Sequence, residues 1–138
     1  MNILISGSSG FIGSALAPYL QSHGHTILKL VRDHSQPGIF WNPGGGVIDL
    51  PADAKIDAVI NLSGDNIAAA RWTKQKKEKI LSSRIDSTSL LARTAARLNP
   101  HPKVFLSSSG IGFYGDGGNT IVDETSPAGR GFLVDVSR

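Results

Sequence analysis

Gly7-Ser8-Ser9-Gly10-Phe11-Ile12-Gly13 sets three glycines at three-residue intervals between an apolar run and an amphipathic one. That spacing suits the binding of a diphosphate. Gly7 would permit a tight turn, Gly10 would let backbone N–H groups approach the anion, and Gly13 would let a helix pack close to a strand. The N-terminus of that helix would face the phosphates. A second clue closes the next apolar run, Leu30-Val31-Arg32-Asp33. A carboxylate at the last strand position would bond the ribose hydroxyls of NAD, whereas a cation there would meet the 2′-phosphate of NADP. Val31 holds that position and Arg32 follows it with a guanidinium able to grip phosphate by two bonds, which favours NADP. Asp33 keeps the NAD reading open, because a shift of two residues in strand length would bring it to the ribose.

Other chemistries are narrowed by composition. The chain has no cysteine, which excludes thiolate metal sites, disulfides and cysteine nucleophiles. His23, His25, His34 and His101 fall at turns or element ends with no acids at ligand spacing, so no metal is expected. The net charge of +3 is modest and its basic residues gather between Arg71 and Arg84, which limits any anionic partner to that stretch. Nucleic-acid binding through Arg71 to Lys79 with Trp72 lacks a recognisable module. No leader-like start and no apolar run of spanning length is seen, so a soluble, cytoplasmic protein away from membranes is expected.

The elements that must position these groups alternate between strand-like and helical patterns, the rhythm of βαβ units around a parallel sheet. Strands are predicted at Asn2 to Ser6, Thr26 to Val31, Ala58 to Leu62 and Val104 to Ser107. Ile39-Phe40-Trp41 and Val47-Ile48-Asp49, parted by Asn42-Pro43 and three glycines, read as a hairpin or a loose excursion. A helix is predicted from Phe11 to Ser22, with Ile12, Leu16, Tyr19 and Leu20 buried and Gly24 ending it. A longer one starts at Thr73 as N-cap and runs to about Leu98, with Leu81, Ile85, Leu91, Ala95 and Leu98 as its apolar stripe. Its first turns carry Lys74, Lys76, Lys77 and Lys79 where cations oppose the macrodipole, so an anion is expected nearby. Arg84, beside that stripe, could point inward toward the cofactor. Phe132-Leu133-Val134 reads as a helix start. The fold class is α/β, a Rossmann-like doubly wound parallel sheet, with residues 1–138 forming one NADP-binding domain truncated before a C-terminal substrate domain. A sheet edge exposed by truncation would invite association, hence a homo-oligomer.

The stretch Ile3 to Gly13 resembles the extended short-chain dehydrogenases/reductases, and Val59-Ile60-Asn61-Leu62-Ser63-Gly64 resembles their fourth-strand motif. More specific are Gly64-Asp65-Asn66-Ile67, Arg71-Trp72-Thr73, Lys79-Ile80 with Ser83-Arg84, Ser107-Ser108-Ser109-Gly110-Ile111-Gly112-Phe113-Tyr114-Gly115, and Asp123-Glu124 ahead of Gly131-Phe132-Leu133. Together they are similar to an atypical group called epimerase family protein, nucleoside-diphosphate-sugar epimerase or the SulA family. The resemblance spans essentially the whole chain. It implies cofactor contacts from the glycine turn (Gly7, Ser9, Gly10, Phe11, Ile12 and Gly13), Arg32, Leu62, Ser63, Gly64 and Arg84, and a small-molecule substrate of the sugar-nucleotide kind.

For catalysis the resemblance implies a Ser or Thr after the fifth strand to polarise the substrate oxygen, a Tyr as acid/base and a Lys four residues later. Ser109 fits the first role, with Ser108 as its rival. No Tyr-x-x-x-Lys exists: Tyr19 and Tyr114 are followed four residues on by His23 and Gly118, and the resemblance would place the pair near Leu133 and Ser137. Two functions stay open on these residues, an NADP-dependent oxidoreductase or epimerase and a catalytically inactive NADP-binding regulatory protein.

Overall fold

The computed structural model describes residues 1–51 and 53–138. By compactness the chain divides into two units, Met1–Ser107 and Ser108–Arg138. The first unit holds a six-stranded sheet. In chain order its elements are β1 (Asn2–Ser6), α1 (Phe11–Ser22), β2 (Thr26–Val31), β3 (Ile39–Asn42), β4 (Val47–Ile48), β5 (Ala58–Asn61), α2 (Lys74–Arg97) and β6 (Val104–Ser107).

The sheet order is β4-β3-β2-β1-β5-β6, and every neighbouring pair is parallel except β3 with β4. The sheet is therefore mixed at one edge. Parallel strands normally need a long crossover, yet only residues 32–38 link β2 to β3. The register explains this, since Ile39 pairs with Leu30 and Phe40 with Val31 at the end of β2. The chain joins the sheet where it left it, and β3 then turns back as the predicted hairpin.

Alternation along β1 sends Leu4 to one face and Ile3 and Ile5 to the other. Leu4 packs with Leu30, Trp41, Val59, with Leu90 and Leu91 of α2 and with Leu98 just after it. Ile3, Ile5, Ala58 and Ile60 pack with Leu16 and Leu20 of α1. Helices thus cover opposite faces, the doubly wound arrangement the alternation predicts.

Both helices keep their predicted bounds closely, and Leu16, Leu20, Leu91, Ala95 and Leu98 pack inward as the pattern predicts, whereas Ile12, Tyr19 and Ile85 do not. On α1, Ile12 and Tyr19 are each 59% exposed, and the fully buried residues are Gly13 and Ala17. The helix lies too close to the β1–α1 turn for a large side chain at that position, so small residues take the contact. On α2, Ile85 is 51% exposed, and Ile80, Ser87, Leu90 and Leu91 are buried, with Leu98 just beyond the helix. Ser87, a polar residue, takes an inward position that the apolar pattern does not count, while Ile85 turns outward.

Thr73 caps α2 as its sequence predicts, its hydroxyl accepting the Lys76 N–H at 3.2 Å. Thr73→Ala is expected to lower stability by about 1 kcal/mol, measured by urea unfolding of the complete protein. An unchanged midpoint would show that α2 does not depend on this cap.

The second unit has a 3₁₀ turn at Ile111–Tyr114 and α3 at Phe132–Ser137, the latter beginning where the sequence predicts. Phe113 N–H and C=O lie back on the chain through Gly110 and Gly129. Among the described residues, no helix is long and apolar enough to cross a membrane.

Candidate functional site

The order of strands reverses at β1, with β2 and β3 on one side and β5 and β6 on the other. In open α/β sheets ligands bind outside the carboxyl ends of the strands at such a point. A cavity of about 650 Å³ lies there, within the first unit. One wall is the turn after β1, through Gly7, Ser8, Ser9 and Gly10. A second is the end of β2 with Lys29, Arg32, Asp33 and Gln36, and a third is Leu62, Ser63 and Gly64 after β5.

Each glycine of the turn has its own constraint. Gly7 has φ +71°, and a Cβ there would stand 2.8 Å from the Leu62 carbonyl carbon. The β1 turn and the β5 end are thus in near contact. Gly10 N-caps α1 without a side-chain bond, donates its N–H to Gly7 O at 3.0 Å, and would bring a Cβ no nearer than 3.3 Å to any other group. The space before the helix is open, and no acid stands in the first turn of α1. The positive end of that helix is therefore left for an anion. Gly13 is different, since a Cβ there would stand 2.2 Å from Gly7 O.

Phe11, Ile12, Gly13 and Arg84 do not line the cavity. Phe11 is 98% exposed. Gly13 lies beneath the turn and shapes it. Arg84 stands behind Gly64, where a Cβ would meet its Cζ at 2.9 Å, and its guanidinium donates to the carbonyls of Asp65 at 3.2 Å and Ile80 at 3.1 Å. Ser109 is an exposed residue of the second unit, in the stretch between β6 and the 3₁₀ turn.

β2 ends at Val31, so Arg32 and Asp33 both follow the strand. The Asp33 carboxylate accepts the Ser35 N–H at 2.9 Å, and that bond holds its pKa below the ordinary carboxylate value. Asp33 is engaged in its own turn. Arg32 and Lys29 carry no ion pair among the described residues, which leaves two cations facing one engaged acid on that wall.

Behind the cavity lies a buried polar network that sequence reasoning missed. Ser6 Oγ donates to Asn61 Oδ1 at 2.6 Å, and Asn61 Nδ2 donates to Thr88 Oγ1 at 3.0 Å and Ser107 Oγ at 3.3 Å. Asn61 Oδ1 also accepts the Ser63 N–H at 3.2 Å. One amide ties β1, β5, β6 and α2 together and sets the Ser63 backbone. Fully partnered, such a network specifies a unique arrangement. Its signal was a single polar residue closing the apolar strand Ala58-Val59-Ile60-Asn61. Lys29, Gln36 and Trp41 were also missed as lining residues, Trp41 because a fully buried core residue gives no sign that one edge meets a cavity.

The anion expected near the lysines of α2 is Asp65. It pairs with Lys76, and Lys79 stands 3.6 Å from its other oxygen. The Lys76 hydrogen bond, with the charges of both lysines, holds the Asp65 carboxyl below its ordinary pKa.

Within the second unit, Leu133 and Ser137 make local contacts. Leu133 packs on Gly112, whose Cβ would meet it at 3.0 Å, and Ser137 Oγ donates to Leu133 O at 2.9 Å. Tyr114 is half-buried and packs edge-on to Phe113 at 5.3 Å. Asp123 and Glu124 form an exposed turn in which the Asp123 carboxylate accepts bonds from Thr125 and Ser126, Thr125 chiefly lowering its pKa. No group of three His, Cys, Asp or Glu among the described residues could hold a metal ion.

Comparison with known proteins agrees with this architecture. Residues 3–131 match the model of the NAD dependent epimerase/dehydratase family. An epimerase family protein of Mycobacterium leprae is 39% identical over 134 residues, covering 96% of this chain and 43% of that protein. The solved structure of a human epimerase family protein with NADPH superposes with a TM-score of 0.87 at 30% identity, over 99% of this chain and 46% of the other. A nucleoside-diphosphate sugar epimerase from Corynebacterium glutamicum gives 0.79 at 33%, over 99% and 28%. The chain spans less than half the length of these relatives. With the glycine turn, the strand order and the match over residues 3–131, the chain belongs to the NAD dependent epimerase/dehydratase family.

Proposed function

We propose that residues 1–138 are the NADP-binding domain of a cytoplasmic oxidoreductase or epimerase of the extended short-chain dehydrogenase type, acting on a small-molecule substrate of the nucleoside-diphosphate-sugar kind. One observation carries the reading: the glycine turn and Arg32 line the same cavity at the point where the strand order reverses. Gly7, Ser9 and Gly10 present backbone to the diphosphate, with Phe11, Ile12 and Gly13 opening the helix whose positive end faces it. Arg32 and Lys29 receive the 2′-phosphate. Leu62, Ser63 and Gly64 flank the nicotinamide end, and Arg84 adds positive charge behind Gly64. NADP, when bound, supplies hydride transfer. Ser109 orients the substrate oxygen.

The human relative with NADPH and the Corynebacterium protein named as a nucleoside-diphosphate sugar epimerase support the cofactor and the substrate class. A second reading, a cofactor-binding regulatory protein without turnover, is favoured by Leu133 and Ser137 standing where the resemblance places a proton-transfer pair.

Trp41 lines the cavity, so saturable NADPH binding to the complete protein is expected to quench tryptophan emission and raise nicotinamide emission by energy transfer. Ser109→Ala is expected to lower turnover of a sugar nucleotide while leaving NADPH affinity unchanged. Binding without turnover would select the regulatory reading. No saturable binding would remove both.

A further inference from the structure

Asp65 is held by one face of α2 at all three of its polar groups. Its N–H donates to Ser83 Oγ at 2.9 Å, its C=O accepts from Arg84 at 3.2 Å, and its carboxylate pairs with Lys76 and Lys79. Residues 76, 79, 83 and 84 follow the i, i+3, i+7, i+8 spacing of a single helix face. The pair with Lys76 is partly shielded from water, the two side chains being 16% and 12% exposed. Four lysines at a helix N-terminus are otherwise unfavourable, and a carboxylate beside them offsets this. The residue before Asp65 is Gly64, a lining residue of the cavity, and the Arg84 guanidinium lies directly against it.

We infer that Asp65 is a positioning residue: its grip on α2 holds Arg84 against Gly64, so that the backbone of residues 62–64 keeps the shape it presents to the cavity. No distance from Asp65 to a ligand is required, because it acts through Arg84 and the main chain. Without the carboxylate, Lys76 is left as a half-buried cation without its partner in that pair, and moving it to water loosens the loop. The functional consequence rests on the NADP reading above, whereas the loop order does not.

The test is made in the complete protein with Asp65→Asn, Arg84→Ala and the double variant. Hydrogen exchange of residues 62–72, without cofactor, is expected to quicken in Asp65→Asn while the amides of β1 and β5 stay protected. The NADPH Kd is expected to rise roughly tenfold in Asp65→Asn. Since Asp65 acts through Arg84, the double variant is expected to bind within about twofold of Arg84→Ala alone. Asp65→Glu, which keeps the charge, is expected to recover most of the affinity. Unchanged loop exchange in Asp65→Asn overturns the inference whatever the cofactor result. So do additive losses in the double variant, which would mark a general loss of stability. A wild-type protein that binds no NADPH would instead remove the cofactor reading, leaving loop exchange to judge Asp65.

Discussion

Gly13→Ala is expected to destabilise the protein by more than about 4 kcal/mol, a size reserved for specific steric or buried-charge failures. The added Cβ would stand 2.2 Å from Gly7 O, 2.6 Å from Ser8 Cα and 2.9 Å from Gly7 C. All three are backbone atoms, so no side-chain rotation relieves the overlap. Either α1 withdraws from the sheet, opening the packing of Leu16 and Leu20 on Ile3 and Ile5, or the turn that accepts the Gly10 N–H is rebuilt. Both outcomes distort the wall that would meet the diphosphate, so NADPH affinity falls together with stability. Gly10→Ala is the contrast, because its Cβ would meet only Gly7 O, at 3.3 Å. Urea unfolding of the complete protein checks the prediction, and a midpoint for Gly13→Ala close to that of Gly10→Ala would contradict it.

Arg32→Asp is expected to reverse cofactor preference. A charge-assisted bond to phosphate contributes about 1.5–3 kcal/mol, so its loss weakens NADPH roughly 10- to 150-fold. Repulsion between the new carboxylate and the 2′-phosphate adds to this, while the same carboxylate can accept bonds from the ribose hydroxyls of NADH. Lys29 remains on the same wall and keeps some of the field. Stability should change little, because Arg32 is exposed and carries no ion pair among the described residues. A variant that still prefers NADPH would show that another group reads the 2′-phosphate.

Element positions were legible because their ends carry local chemistry. Thr73 caps α2 with its own hydroxyl, and Gly24, at φ +80°, follows α1 where a left-handed residue was expected. The glycine turn was legible in part for the same reason, since Gly7 takes a positive φ and Gly13 lies against the Gly7 carbonyl, whereas the approach of Gly7 to Leu62 is long-range. Helix faces were less legible. Apolar periodicity placed Ile85 and Tyr19 inside, but inward positions are taken by Ser87, which the pattern counts as polar, and by Gly13, which it counts as nothing. Long-range polar partners were not legible either. Nothing local joins Asn61 to Thr88 and Ser107, or Asp65 to Ser83 and Arg84, because those pairs meet only once α2 lies against the sheet. Nor could strand periodicity show that β3 joins β2 in parallel after so short a link, since register decides it.

The central claim is that the cavity binds NADP with Arg32 at the 2′-phosphate. Calorimetric titration of NADPH and of NADH into the complete protein and its Arg32→Asp variant tests it most directly. The account predicts that the wild type binds NADPH more tightly than NADH and that the variant reverses this preference. Equal affinity for both cofactors in the wild type, or no binding of either, would contradict it.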